Sequence, residues 1–94
     1  MKRAIITVSG RVQGVGFRYY VKDLADRHGV AGTVCNVRDG SVVIEAEGES
    51  SLIHEFIHHL QLDQGPMRAQ IERVDVQWPA NLMGYSDFSS VRSR

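Results

Sequence analysis

Residues 4–25, AIITVSGRVQGVGFRYYVKDLA, carry a short apolar run, a glycine-rich loop and a helical pattern in direct succession. The apolar run at residues 4–8 predicts a β-strand. From Phe17 onward, apolar residues recur at i, i+3, i+4, i+7 and i+8, which predicts an amphipathic α-helix. Gly29 lies where a helix of this length would end, and it suits the C-terminal cap.

Alternating apolar positions and turn signals predict the rest of the secondary structure. Asp39-Gly40 is a strong hairpin signal between two strand patterns, and Gly65-Pro66 breaks the chain after a second helical pattern. The predicted elements are strands at residues 30–37, 42–47 and 74–78, a helix from 48–51 to about residue 63, and a short final strand within 85–91.

The predicted order is β-α-β-β-α-β, two β-α-β halves joined by a hairpin. It predicts an α+β, ferredoxin-like sandwich, with a four-stranded antiparallel sheet and both helices on one face. The segment 85–91 is a candidate for a fifth strand at the edge of this sheet. A length of 94 residues suits a single domain, so we expect residues 1–94 to form one.

The composition of the chain argues against several classes of binding partner. Eleven Lys and Arg balance eleven Asp and Glu, and a neutral chain argues against a general nucleic-acid binder. Cys35 is the only cysteine, so no internal disulfide forms and a cytoplasmic location is expected. No apolar run approaches about 20 residues, so no membrane partner is expected, and the N-terminus does not resemble a signal peptide.

The loop between the first strand and the first helix has the chemistry of an anion site. Glycines allow several backbone N–H groups to point at one spot, and a helix N-terminus adds further donors with a partial positive charge. Arg18 lies in the first helical turn, where a cation opposes the helix dipole unless an anion binds there. The residues predicted to hold a phosphate-sized anion are Val12, Gln13, Gly14, Val15, Gly16, Phe17 and Arg18.

Three common phosphate motifs do not fit this loop. The dinucleotide-binding pattern needs a third glycine where Tyr19 stands, and no Lys-Ser/Thr pair follows as in a P-loop. A cysteine phosphatase needs an arginine about six residues after its cysteine, but Ser41 follows Cys35 at that spacing. Tyr19 and Tyr20 are interpreted as packing residues rather than as ligand contacts.

His54-Glu55-Phe56-Ile57-His58 matches the H-E-x-x-H pattern of zinc proteases. The apolar stripe of this helix contains Ile53 and Phe56, so at 100° per residue both histidines fall on the opposite side. The pattern is therefore interpreted as a solvent-facing helix surface, and no metal site is predicted.

Three segments of the chain resemble the acylphosphatase family. Gly10-Arg11-Val12-Gln13-Gly14-Val15-Gly16-Phe17-Arg18 matches the family's signature loop. Gly32-Thr33-Val34-Cys35-Asn36, followed by Asp39-Gly40, matches its second signature. Tyr85-Ser86-Asp87-Phe88-Ser89 is similar to its C-terminal segment.

The resemblance implies hydrolysis of acyl phosphates to a carboxylate and inorganic phosphate on a ferredoxin-like fold. It implies that Arg18 binds the phosphoryl group and that Asn36 positions the attacking water. We expect no cofactor and no metal, a small-molecule acyl phosphate as the substrate, and a monomer.

Two alternatives stay open at this point. Acylphosphatase-like domains of hydrogenase-maturation carbamoyl transferases carry similar pairs at Cys35-Asn36 and Asp39-Gly40 and would handle carbamoyl phosphate, but they belong to much longer chains. A non-catalytic ferredoxin-like module that binds RNA or protein is the second alternative. RNA-binding modules of this topology present aromatic side chains on central strands, whereas these strands carry Val, Ile, Thr and Ala.

Overall fold

A computed structural model describes residues 1–62, 65–66 and 69–91 of the chain. The described part contains β1 (Lys2–Arg11), α1 (Phe17–His28), β2 (Ala31–Asn36), β3 (Val42–Gly48), α2 (Ser50–Leu62), β4 (Gln70–Gln77) and β5 (Phe88–Ser90). This order confirms the predicted α+β class. The end of α2 predicted near residue 63 falls outside the described residues. Neither of the two described helices is long and apolar enough to cross a lipid bilayer.

The strands form one sheet in the order β4-β1-β3-β2-β5. The first four strands pair antiparallel, as the sequence predicts. β5 instead pairs in parallel with β2, where Gly32 lies opposite Phe88 and Val34 opposite Ser90. The fifth strand is thus confirmed, although it is shorter than the segment 85–91 from which it was predicted. The sheet as a whole is mixed rather than purely antiparallel.

A hydrophobic core lies between the sheet and the two helices. The alternating residues of β1 that face it are paired with alternating residues of β3: Ala4 with Ala46, Ile6 with Ile44, and Val8 with Val42. The helices add their apolar stripes, which are Phe17, Val21, Leu24 and Ala25 on α1 and Ile53, Phe56, Ile57 and Leu60 on α2. Since both stripes join the same core, both helices cover one face of the sheet, as predicted.

β1 is longer than the predicted strand at residues 4–8 and continues through Gly10 to Arg11. Its pairing with β4 shifts register between Ser9 and Gly10, as at a β-bulge or a similar irregularity. Gly10 has a φ of 124°, and a Cβ there would lie 2.1 Å from the carbonyl oxygen of Gln70. Gly10 therefore permits the close approach of β4. This strand begins at Gln70 rather than at the predicted residue 74, and it ends before Trp78.

The H-E-x-x-H stretch of α2 faces solvent, as its helical phase predicts. His54 and His58 are exposed, whereas Ile53 and Phe56 are buried. The His54 ring lies against the Trp78 ring, with 5.0 Å between their centroids. Among the described residues, no three His, Cys, Asp or Glu side chains are grouped closely enough to hold a metal ion.

The sheet face away from the helices is partly covered by residues 83–85, which Glu47 of β3 holds in place. Glu47 is only 3% exposed, and its carboxylate accepts hydrogen bonds from the backbone N–H groups of Met83, Gly84 and Tyr85 at 2.6, 2.8 and 3.1 Å. Burial, reinforced by the charge of Glu45, raises the pKa of the Tyr85 phenol. One buried carboxylate thus anchors the chain that leads into β5.

Glu47→Gln is expected to destabilise the fold by about 2 kcal/mol, because hydrogen bonds to a charged group are worth about 1.5–3 kcal/mol and an amide NH₂ cannot accept one. Urea denaturation followed by circular dichroism measures the effect. Glu72→Gln, at an exposed site on β4, is the matched control and should leave the midpoint unchanged. Equal midpoints for both variants would contradict this role of Glu47.

Candidate active site

The connection between β1 and α1 consists of residues 12–16. Gly14 and Gly16 have left-handed backbone conformations with φ of 74° and 79°, which L side chains adopt only under strain. Apart from the glycine itself and its two chain neighbours, no described residue has an atom within 4 Å of the position that a Cβ would take at Gly14 or Gly16. The two glycines therefore give the loop its curvature and leave its backbone open to a ligand.

The N-terminus of α1 follows the loop directly, and no side chain of the helix caps it or neutralises its positive end. Gly16 is the N-cap and supplies no side-chain hydrogen bond, and the first turn contains no acidic residue. The unpaired N–H groups of the first turn and the positive end of the helix dipole are therefore available to an anion. Arg18 adds a full positive charge in the same turn, so a bound anion would relieve its repulsion by the dipole.

A cavity of about 320 Å³ opens at the loop and is lined by Val12, Gly14, Gly16, Phe17, Arg18, Tyr19, Asn36 and Ser90. Arg18 and Asn36, predicted from two distant parts of the sequence, thus line the same cavity. Gln13 and Val15 belong to the predicted loop but not to this lining. Val15 packs against the hydrophobic core, and the Gln13 side chain turns towards the β2–β3 connection.

Arg18 and Asn36 are connected through β2 and Val91. Asn36 is the last residue of β2. Val34, earlier on the same strand, accepts a hydrogen bond from the Val91 N–H at 2.9 Å. The Val91 carbonyl in turn accepts a hydrogen bond from Arg18 Nη1 at 3.0 Å. The guanidinium is therefore tied to the strand that carries Asn36, through the residue that follows β5.

Gln13 joins the loop to the β2–β3 connection. Its Nε2 donates to the carbonyl oxygens of Val37 and Ser41 at 2.7 and 2.8 Å. The Asp39 carboxylate accepts hydrogen bonds from the Ser41 Oγ and N–H, and these hold the pKa of Asp39 below its usual value. This stabilisation is present above the ordinary pKa of an aspartate and is lost as the pH falls through the lowered value. The loop and the segment after Asn36 thus form one hydrogen-bonded unit.

The Asn36 side chain leaves a buried acceptor at the cavity. Its Oδ1 has no hydrogen-bond partner among the described residues. Buried side-chain oxygens in native proteins nearly always have a partner, so the contacts among the described residues leave this acceptor unaccounted for. An amide oxygen accepts a hydrogen bond from water but is too weakly basic to take its proton.

Three contributors to the site were not predicted from the sequence: Tyr19, Ser90 and the Val91 carbonyl. The interpretation of Tyr19 as a packing residue is wrong, because it is 82% exposed, whereas Tyr20 does pack against Phe17 with 5.7 Å between ring centroids. The helical phase is a signal for this, since Tyr19 falls outside the apolar stripe. Ser90 and Val91 have no local signal, because the parallel pairing of β5 with β2 brings them to the cavity.

The fold and the site define an α+β sandwich whose glycine loop and helix N-terminus suit a phosphate-sized anion. An acylphosphatase family model matches residues 4–90. The acylphosphatase of Ligilactobacillus salivarius is 44% identical over 89 residues, covering 95% of this chain and 97% of that protein. This chain belongs to the acylphosphatase family, whose members are hydrolases acting on acid anhydrides.

Solved structures show the same relationship. The crystal structure of acylphosphatase from Bacillus subtilis matches with a TM-score of 0.91 and 38% identity, over 97% of this chain and 99% of that one. The crystal structure of full-length HypF in its phosphate- and nucleotide-bound form matches with a TM-score of 0.89 and 31% identity. That match covers 98% of this chain but 12% of HypF.

Proposed function

We propose that this chain hydrolyses acyl phosphates without a metal ion, with the phosphoryl group bound by the loop and Arg18 and with the attacking water oriented by Asn36. The observation that carries the proposal is the shared cavity. The glycine loop, the Arg18 side chain and the end of β2 with Asn36 all line it, although they come from separate elements.

Phosphoryl transfer needs charge stabilisation and in-line positioning more than covalent chemistry from the protein. The backbone N–H groups of residues 12–18 are proposed to hold the phosphoryl oxygens. The Arg18 guanidinium adds two parallel, charge-assisted hydrogen bonds. Together these groups neutralise the charge that a metal ion neutralises in many other phosphoryl-transfer enzymes.

Asn36 is proposed to hold a water molecule in line with the bond that breaks. The water oxygen attacks phosphorus, and the bond between phosphorus and the acyl oxygen breaks to release a carboxylate. That carboxylate is a weak base and needs no general acid. Because the Asn36 amide cannot accept the water's proton, a phosphoryl oxygen of the substrate takes it, and inorganic phosphate is the second product.

Hydrolysis of benzoyl phosphate by the wild-type chain in excess EDTA tests this proposal. We expect the same rate with and without the chelator. Loss of activity in EDTA that zinc or magnesium restores would contradict the metal-free mechanism. No hydrolysis under either condition would contradict the proposed reaction itself.

Carbamoyl phosphate is the second candidate substrate, because the pairs Cys35-Asn36 and Asp39-Gly40 also resemble those of the acylphosphatase-like domains of hydrogenase-maturation carbamoyl transferases. Both substrates present the same phosphoryl group to the loop, so they differ in the group that leaves. Side-by-side kcat/KM values for carbamoyl phosphate and acetyl phosphate separate the two candidates. A value for carbamoyl phosphate well above that for acetyl phosphate would favour the carbamoyl-handling role.

We also propose that residues 1–94 act as one monomeric domain in the cytoplasm, with no nucleic-acid or membrane partner. The balanced charge supports the proposal that no nucleic acid binds, and the single buried Cys35 supports a cytoplasmic location. Analytical ultracentrifugation at micromolar concentration should give the mass of one chain. A concentration-dependent dimer would contradict the monomer.

Gln13→Ala is expected to lower kcat/KM for acyl phosphates by about tenfold to a hundredfold, because a displacement of about 1 Å in a positioned group can cost about 10² in rate. The variant removes both hydrogen bonds that tie the loop to Val37 and Ser41. Gln61→Ala, at an exposed site on α2, is the control. A wild-type kcat/KM for Gln13→Ala would show that the loop holds its shape without this tie.

A further inference from the structure

Ser90 is a polar residue of the cavity that the proposed mechanism does not use. Arg18 and Asn36 already have proposed roles, and Ser90 adds a hydroxyl to the same space. Ser90 is exposed, and no hydrogen bond among the described residues engages its Oγ. Ser89, by contrast, donates from its Oγ to the Asp87 carboxylate at 3.4 Å. The Ser90 hydroxyl is therefore open to a molecule in the cavity.

The pairing of β5 with β2 determines where this hydroxyl lies. Ser90 lies opposite Val34 in the parallel register, and Asn36 follows Val34 by two residues. Side chains two residues apart on a strand point to the same face of the sheet, and so do residues paired in register on neighbouring strands. Val34 is buried in the core, so Ser90 and Asn36 both face the helix side of the sheet from adjacent strands.

The spacing of these two positions fits one bridging water molecule. Neighbouring strands lie about 4.8 Å apart and rise about 3.3 Å per residue, which puts the Cβ atoms of Ser90 and Asn36 about 8 Å apart. An Asn and a Ser side chain that point towards each other shorten this gap to about 5 Å, which a water with hydrogen bonds of about 2.8 Å to both oxygens spans. Asn36 Oδ1, a buried acceptor without a partner among the described residues, is one end of that bridge.

We propose that Ser90 holds the attacking water together with Asn36. This inference rests on the proposed function, because it concerns the water that Asn36 orients. The water donates one hydrogen to Asn36 Oδ1 and the other to a phosphoryl oxygen, which takes that proton. The Ser90 hydroxyl donates to one lone pair of the water, and the second lone pair forms the bond to phosphorus as the bond to the acyl oxygen breaks. Four directed contacts fix the water, whereas Asn36 alone leaves it free to turn.

Steady-state hydrolysis of benzoyl phosphate tests the proposal in Ser90→Ala, Asn36→Ala and the double variant. We expect Ser90→Ala to lower kcat by about fivefold to tenfold and to leave inhibition by inorganic phosphate unchanged, since one hydrogen bond to the water is lost. In the Asn36→Ala background the same change should cost less than about twofold, because residues that hold one water are coupled. Ser89→Ala is the control, since Ser89 is the preceding residue of β5 and faces the other side of the sheet.

Three results would overturn the inference while leaving the proposed function intact. Losses from Ser90→Ala and Asn36→Ala that multiply in the double variant would show that the two residues act on different groups. An unchanged kcat in Ser90→Ala, or a loss that Ser89→Ala reproduces, would remove the role of the hydroxyl. Weaker inhibition by phosphate in Ser90→Ala would place Ser90 at the phosphoryl group instead. A wild-type chain without activity towards benzoyl phosphate would contradict the proposed function itself, and this role of Ser90 with it.

Discussion

Arg18→Ala should lower kcat/KM for acyl phosphate hydrolysis by about a thousandfold, in the range seen when an arginine or a preorganised donor at a phosphoryl or oxyanion site is removed. The guanidinium is the one full positive charge among the residues that line the described cavity. Its Nη1 donates a hydrogen bond to the Val91 carbonyl, which restrains the guanidinium. Competitive inhibition by inorganic phosphate should weaken by about tenfold or more, since two charge-assisted hydrogen bonds disappear.

Two further variants test whether the effect is specific to the Arg18 guanidinium. Arg27→Ala removes a guanidinium from the same helix, where Arg27 forms an exposed ion pair with Asp23 at 2.7 Å, and it should leave activity unchanged. Arg18→Lys keeps the charge but loses the planar fork, so its activity should lie between those of the wild type and Arg18→Ala. An Arg18→Ala variant that binds phosphate as tightly as the wild type would contradict the assigned role.

Asn36→Ala should lower kcat by about a hundredfold to a thousandfold, the usual cost of losing one positioned polar group at a reacting centre. Inhibition by inorganic phosphate should change little, because the loop and Arg18 hold the phosphoryl group and Asn36 holds the water. The two variants therefore differ in kind: Arg18→Ala loses affinity and turnover, whereas Asn36→Ala loses turnover alone.

Asn81→Ala, which removes an exposed asparagine outside the cavity, is the control for Asn36→Ala. Circular dichroism should show that both variants keep the fold. Near wild-type kcat in Asn36→Ala would remove the water-positioning role. A large loss of phosphate affinity in the same variant would instead place Asn36 in the phosphate cradle.

Much of the fold could be predicted because its signals are local. Ile6 and Ile44 alternate with outward-facing neighbours, and an apolar stripe on α1 begins at Phe17. Both patterns follow from the core that these residues build. β5 could not be placed in the same way. It is three residues long, and its parallel pairing with β2 depends on contacts far apart in the sequence. The role of Gly10 could not be predicted either, because its close contact is with Gln70 on β4, which is far from it in the sequence.

How much of the site could be predicted also depends on whether its signals are local in the sequence. The loop and Arg18 stand together in one short stretch, so their chemistry is visible in the sequence. Asn36 became a candidate through the family resemblance, and the structure shows that it shares a cavity with Arg18. The Val91 carbonyl that supports Arg18 is a backbone group, which no residue pattern reveals. The roles of these residues stay predictions that the variants above test.

A titration of the ¹⁵N-labelled wild-type chain with inorganic phosphate in the presence of EDTA, followed by amide chemical shifts, is the most direct test of whether the loop binds the phosphoryl group. We expect saturable shifts concentrated in the backbone amides of residues 12–18 and in the side-chain amide of Asn36. Arg18→Ala should weaken the response, and Arg27→Ala should not. Shifts that leave the loop unaffected, or that centre on the exposed histidines of α2, would contradict the assignment of this loop as the phosphoryl site.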